Sequence, residues 1–362
     1  MAVLSDFISG YFTNDLGVDL GTANVRINVD GQGIEVQEPS VVVMDRNSGR
    51  IIRVGTEARN MLGRTPGNLV AMQPVKNGVI SDHEMTVRLL RELFERVGKK
   101  GLLKPKPRVI ISVPSTVSEV EERTIVSAVL EAGARRVYLI QAPVAAALGA
   151  NVDFSTSAGR MVVDVGAGVT DIAVLAENAI VHSQTSSICG NTFDELIIHA
   201  VRKKHRLDIP RSTAEEIRVN IGSAVPVDNE GVMTITGRDY KLRGPRQVNV
   251  TTREFVSVLR EGCRQLASEI ADVLANVTIE HMKDVAVNGI VLTGGCSQLK
   301  GMDQVIRETF ADMQIPCTVA DDPHLCVAYG CGKSLAWIRR MPEGKQNFAR
   351  EKERIKKKKN AK

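Results

Sequence analysis

Two stretches of the chain repeat one pattern of apolar and polar positions. Residues 18–29 read VDLGTANVRINV and residues 163–174 read VDVGAGVTDIAV. Each is an apolar strand, an aspartate, a turn of small residues, and a second strand in which apolar and polar positions alternate. That is the period-2 signature of a β-hairpin with a glycine-bearing tip. Two copies predict two similar lobes, each opening on such a hairpin. Elsewhere strands and helices alternate. Residues 108–113 (RVIISV) and 136–140 (RVYLI) read as short strands. Between them, 116–132 has helical spacing: Thr116 and Glu119 form a capping box, Val120, Ile125, Val129 and Leu130 fall near one face, and Gly133 ends it. Pro143 opens a small-residue helix through Ala147. Residues 191–204 read as a helix, and 251–279 as a long one with Thr251 and Glu254 as its cap box. A strand over 289–293, a Gly-Gly turn and a helix from about Ser297 follow. This alternation predicts α/β lobes.

A chain of 362 residues is too long for one ordinary core and suits two domains. Residues 339–362 hold eleven Lys or Arg and three Glu, a net of +8, so of the overall +5 the preceding chain carries −3. The body is mildly acidic, which argues against nucleic acid as a partner. The stretch 339–362 reads as a basic, disordered tail, or as a helix only when bound. No apolar run approaches the length of a membrane span, and the first residues carry no Lys or Arg ahead of their apolar positions, unlike a secretory signal. The cysteines at 189, 263, 296, 317, 326 and 331 form no C-x-x-C pair, so buried reduced thiols in a reducing compartment are the better reading than metal ligands.

The hairpin tips carry candidate chemistry. A triphosphate needs backbone N–H donors at close range, and glycine permits that approach. Gly21, Thr22, Ala23 and Asn24 can supply them in the first tip; Gly166, Ala167 and Gly168 can in the second. Asp19 and Asp164 close the strands at the same turn, where two carboxylates would hold Mg²⁺ through its waters. Either turn alone is equally an ordinary tight hairpin; the matched pair points to nucleotide. A third loop, Gly294-Gly295-Cys296-Ser297-Gln298, lies between a strand and a helix and suits the sugar and base.

These residues resemble the actin and Hsp70 superfamily, and within it the MreB family of bacterial actin homologues. The resemblance runs from about Asn14 to Trp337 and includes NDLGVDLGTAN (14–24), VKNGVISD (75–82), RMVVDVGAG (160–168), VLTGG (291–295) and DDPHLCVAYGCGK (321–333). It implies an α/β, actin-like (ribonuclease H-like) two-lobed fold with the nucleotide cleft between lobes. It divides the chain into residues 14–150, with a small subdomain at about 34–75, and 151–338, with another at about 190–250. It implies ATP with Mg²⁺ as cofactor, the two turns as phosphate loops, and Gly294 to Gln298 as the adenosine loop. Glu215, Glu216, Ile217 and Arg218 match the family's adenine-contacting E-x-I-K. Cys296 and Ser297 stand where the family usually has Gly-Ala. Two departures bear on hydrolysis. Gln141-Ala142 replaces the usual Glu-Glu, whose second Glu activates water, and Val169 replaces a Thr; both resemble actin itself. Gln141 can still orient a water without accepting its proton, and Asp171, where the family has Glu, is a second candidate orienter. The alternative is a nucleotide-gated binder in which Gln141 only packs.

Residues 1–12 (MAVLSDFISGYF) gather Leu4, Phe7, Ile8, Tyr11 and Phe12 opposite Ser5, Asp6 and Ser9, the pattern of an interfacial amphipathic helix. Leu102 and Leu103, flanked by Lys99, Lys100, Lys104 and Lys106, resemble the family's second insertion point. The same residues packed on the protein's own surface would look alike. The family reading is a cytoplasmic ATP-gated filament, of paired protofilaments, at the inner face of the cell membrane, guiding the cell-wall elongation machinery and setting rod shape. Its rivals are a paralogue that positions an organelle or plasmid, and a sugar kinase. No sugar-site signature is present for the kinase.

Overall fold

The computed structural model describes residues 15–97, 106–241 and 243–338, apart from residues 64 and 66. The expected membrane residues Leu4, Phe7, Ile8, Tyr11, Phe12, Leu102 and Leu103, and the basic tail, lie outside the described residues. The chain divides into two compact units, one running to Asp153 and resuming at Leu325, the other spanning Phe154–His324.

The first unit is built on strands β1 (Leu16–Leu20), β2 (Asn24–Val29) and β3 (Gly33–Pro39). A small three-stranded sheet follows, from β4 (Val42–Asp45), β5 (Ile51–Val54) and β6 (Leu69–Met72), with helix α1 (Gly55–Arg59) between. After the two-stranded β7 (Val75–Lys76) and β8 (Val79–Ile80) come α2 (His83–Val97), β9 (Arg108–Val113), α3 (Glu119–Ala132), β10 (Arg136–Gln141) and α4 (Ala142–Gly149). The five-stranded sheet has the order β10-β9-β1-β2-β3. Strands β1, β2 and β3 pair antiparallel, whereas β9 and β10 add in parallel. Leu16, Val18 and Ile111 of this sheet pack with Leu89 and Leu93 of α2.

The second unit repeats that plan. Strands β11 (Arg160–Val165), β12 (Thr170–Ala176) and β13 (Ala179–Ser186) form an antiparallel meander. Helix α5 (Gly190–His205), β14 (Leu207–Asp208), α6 (Arg211–Ile221), β15 (Val232–Asp239), β16 (Pro245–Thr251), α7 (Arg253–Ala275) and α8 (Ile279–Asn288) lead to β17 (Ile290–Thr293). Helix α9 (Met302–Thr309) and β18 (Cys317–Val319) complete it. The sheet order is β13-β12-β11-β17-β18, again three antiparallel strands joined to two parallel ones, with the small sheet β14-β15-β16 inserted. Phe193, Phe255, Leu259 and Ile172 lie in its core.

The last helix, α10 (Cys326–Ile338), belongs to the first unit and not to the second, where the sequence reading placed it. Close backbone approach is the reason. A Cβ on Gly330 would sit 1.8 Å from the Ala145 carbonyl oxygen, and one on Gly149 would sit 1.8 Å from that of Cys326. The two helices therefore cross backbone to backbone along small residues.

Three other expectations shift. The capping box of α3 is Ser118 with Glu121, not Thr116 with Glu119: the Ser118 N–H donates to Glu121 at 2.8 Å and the Glu121 N–H donates back to Ser118 Oγ at 3.3 Å. The turn from Pro114 to Val117, anchored by buried Val117, uses up the earlier start. Ala128 and Ala132 join Ile125 and Val129 inside, while Val120 is 72% and Leu130 40% exposed. The long helix ends at Ala275, and Thr278 caps a separate one by accepting the His281 N–H at 3.3 Å. Thr251 stays in β16 opposite Val232, although its N–H does donate to Glu254 at 3.1 Å. At Ser297 there is a 3-10 turn, Gly295–Gln298, and the helix begins only after Gly301.

Candidate functional site

Both hairpin tips are built alike. In the first, the Gly21 N–H donates to Asn24 O at 3.0 Å; in the second, the Gly166 N–H donates to Val169 O at 3.0 Å. A Cβ on Gly21 would meet Asn24 O at 2.8 Å, and one on Gly166 would meet Val169 O at 2.7 Å. Each turn closes this tightly only as glycine. The turn carbonyls are tied back into the fold. Ser40 donates from Oγ to Gly21 O at 2.6 Å and from its N–H to Ala23 O at 2.9 Å. The N–H groups of Gly190 and Asn191 donate to Gly166 O and Ala167 O at 2.9 and 2.8 Å. Among the described residues, the N–H groups of Thr22, Ala23, Ala167 and Gly168 have no protein acceptor. Carbonyls held on one side and free amides on the other make an anion nest. That donor set fits the phosphates of a nucleotide.

The aspartates at the turns differ. Asp19 lies cross-strand from Arg26, whose Nη1 donates to it at 3.0 Å, and Ser112 Oγ donates to it at 3.3 Å. Burial pushes the Asp19 carboxyl up, against the pull of Arg26. At the same register of the second hairpin, Asp164 faces Asp171. Thr293 Oγ1 donates to Asp164 at 2.9 Å, and Thr185 Oγ1 donates to Asp171 at 2.7 Å. Like charges directly opposed disfavour a sheet pair, and a hard divalent cation suits two such carboxylates. The acidic pair therefore fits Mg²⁺ better than Asp19, whose charge Arg26 already answers. Arg26, Ser40, Ser112 and Thr185 are the residues the sequence reading missed. Arg26 was legible from the internal repeat, since it occupies the position of Asp171.

Three other expected stretches meet in the second unit. Gly294, at φ +82°, would place a Cβ 2.4 Å from Val165 O, so the 294–298 turn lies directly on the root of the second hairpin tip. Ser297 Oγ donates to Gly294 O at 2.7 Å, and Gln298 lies 3.4 Å from the His324 ring. Helix α6 carries the 215–218 stretch, with Ile217 buried, Glu215 half-buried and Glu216 exposed. Arg218 turns inward: its Nε donates to Asp194 at 2.7 Å and its Nη1 to Cys296 Sγ at 3.7 Å. The guanidinium thus fastens α6 to α5 and to the 294–298 turn. Burial pushes the Cys296 thiol up to about 11, with Arg218 opposing, so it is a neutral thiol near pH 7. Gln141 stands in the first unit at the end of β10, half-buried, its Nε2 donating a long 3.4 Å bond to Ser115 O.

A model of the MreB/Mbl protein family matches residues 13–343. The chain belongs to the MreB/Mbl family. It is 39% identical over 334 residues to the cell shape-determining protein Mbl of Bacillus subtilis, covering 92% of this chain and 99% of Mbl. It is 40% identical over 333 residues to the cell shape-determining protein MreB of Escherichia coli, covering 91% and 95%. The crystal structure of MreB5 of Spiroplasma citri bound to AMPPNP superposes with a TM-score of 0.84 at 31% identity, over 90% of this chain and 96% of that one. The fold is therefore the actin-like two-lobed α/β fold. All six cysteines of this MreB/Mbl-family chain are buried thiols outside any disulfide, and no group of three or more His, Cys, Asp or Glu among its described residues could hold a metal. None of its described helices is long and apolar enough to cross a membrane.

Proposed function

We propose that this chain is an ATP-dependent, membrane-associated actin-like filament protein that sets rod cell shape by guiding cell-wall synthesis. One observation carries the nucleotide part: two duplicated glycine turns, each with its carbonyls tied back and its amides free. The cell-shape part is supported by relatives near 40% identity that are named cell shape-determining proteins. The N–H groups of Thr22, Ala23, Ala167 and Gly168 would donate to the phosphates, Asp164 and Asp171 would hold Mg²⁺, and the 294–298 turn would hold the nucleoside. The metal would neutralise phosphate charge. Glu215 and Glu216 of α6 are the residues that would contact the base. Residues 1–12 and the Leu102–Leu103 segment supply the contact with the inner face of the membrane, and polymerisation presents that contact many times over. Head-to-tail contacts between copies that do not close a ring yield such polymers.

Hydrolysis is slow. Ala142 cannot activate water, and Gln141 is left to orient one, a task without proton abstraction; losing a general base costs ~10²–10⁴ in rate. The test is ATP binding together with electron microscopy on an anionic lipid monolayer. Wild type forms ATP-dependent filaments, and Gly21→Val and Gly166→Val each weaken ATP binding at least about tenfold, as expected if both turns serve one nucleotide. Unchanged ATP affinity in either variant would overturn the reading.

A further inference from the structure

The small sheet of the second unit ends in a cluster of cations that outnumber the carboxylates beside them. Arg206 caps helix α5, and the Tyr240 N–H donates to Arg206 O at 3.3 Å, which brings the β15–β16 turn against the helix end. Arg238 lies cross-strand from Asp208. Asp208 accepts from Arg202 Nη2 at 2.7 Å, and the Arg202 guanidinium stands 6.0 Å from the Tyr240 ring centroid. At this helix end, strand end and turn Arg206, Arg238, Lys241 and Arg243 are all exposed, and among the described residues none of their side chains forms an ion pair. The neighbouring carboxylates are committed elsewhere. Asp239 takes Arg246, Glu254 takes Lys204 and His205, and Asp208 takes Arg202. The Tyr240 ring is itself 52% exposed.

Backbone conformation gives a second, independent sign. Arg206 has φ +56° and Arg243 has φ +52°. Glycine or asparagine fills this left-handed region without the steric cost that a long side chain brings. Two arginines held there, one at the end of α5 and one in the β15–β16 turn, are a local cost to the fold, and such outliers gather where a side chain is needed for a task.

We propose that this end of the small sheet is a contact site for an anionic lipid surface. An exposed aromatic ring set among cations matches the headgroup layer, where the ring sits at the interface and the cations meet phosphate. The cations come from α5, β15 and the β15–β16 turn, so they face a broad anionic plane better than a single acidic segment. The contact goes beyond the N-terminal segment and the Leu102–Leu103 segment, and is tested apart from them.

Full-length protein is sedimented with vesicles of phosphatidylcholine alone or containing phosphatidylglycerol, over a range of salt. Lys241→Glu with Arg243→Glu should lower partitioning to the anionic vesicles by at least about tenfold and flatten its salt dependence. Arg206→Gly with Arg243→Gly should keep or raise the melting temperature, because it relieves the left-handed backbone, and still weaken vesicle binding. Lys241→Arg with Arg243→Lys should bind as wild type. Loss of binding on deleting residues 1–12, with no effect of either charge-removing pair, would overturn the proposal and leave the N-terminal anchor intact. Unchanged vesicle binding with lost binding to polyglutamate would assign the patch to an acidic protein and likewise overturn it.

Discussion

Asp194→Ala is the most informative single change. Arg218 and Asp194 have side chains only 10% and 4% exposed, with Nε and carboxylate 2.7 Å apart. Removing the carboxylate leaves a buried guanidinium whose remaining close acceptor is a thiol at 3.7 Å, and sulfur accepts weakly. Breaking a buried pair on one side costs about 3–5 kcal/mol. The intact pair is another matter. Burial pushes the Asp194 carboxyl up even with Arg218 beside it, while Arg218, against its own burial, is held more firmly protonated by the charges and hydrogen bond around it, so the cost of burying the pair falls on the carboxylate. Replacing both partners with apolar residues, Asp194→Leu with Arg218→Met, should therefore stay within about 1 kcal/mol of wild type. Urea unfolding followed by circular dichroism reads the difference. The single variant should lose on the order of 1–2 M in its midpoint, and the double variant should recover most of that. ATP affinity should fall in the single variant as well, because the 294–298 turn loses its tether to α6. If Asp194→Ala unfolds within about 1 kcal/mol of wild type, or if the double variant is as unstable as the single, the guanidinium is not the buried fastener described here.

Gly330→Leu should abolish stable folding of the first unit or lower its melting temperature sharply, since even a Cβ there would stand 1.8 Å from Ala145 O; differential scanning calorimetry checks this. Asp171→Asn should raise the Mg²⁺ concentration needed for ATP binding, whereas Asp19→Asn should act mainly on stability through Arg26, and a magnesium titration of nucleotide affinity separates the two. Glu254 is raised by burial but lowered further by hydrogen bonds from His205 and Lys204, and its carboxyl ends below its ordinary value of 4.5. A depressed folded-state carboxyl stabilises above its unfolded value and loses that contribution as pH falls through the lower one. Stability of wild type should therefore decline below about pH 4.5, and Glu254→Gln should make that decline shallower. Iodoacetamide at pH 8 should leave Cys296, whose thiol is pushed up to about 11, unlabelled in the native protein and label it once unfolded, as read by mass spectrometry.

Local pattern determined a good deal of this protein. Alternation and glycine placed both hairpins, and the repeat VDLGTAN/VDVGAGV foretold two sheets of one topology, because a hairpin tip depends on a few neighbouring residues. The collinear family matches carried the fold. Signals duplicated in sequence were where local reading slipped: Thr116 and Ser118 both begin an S/T-x-x-E box, and only the burial of Val117 and the turn before it chose between them. Tertiary structure alone decided three matters. It assigned α10 to the first unit, because contact at Gly149 and Gly330 depends on backbones far apart in sequence. It set Arg218 against Asp194, because a guanidinium buried on folding must find a carboxylate wherever the fold supplies one. And it set Asp19 against Arg26 but Asp164 against Asp171, since strand register, which no single position encodes, fixes which side chains face each other.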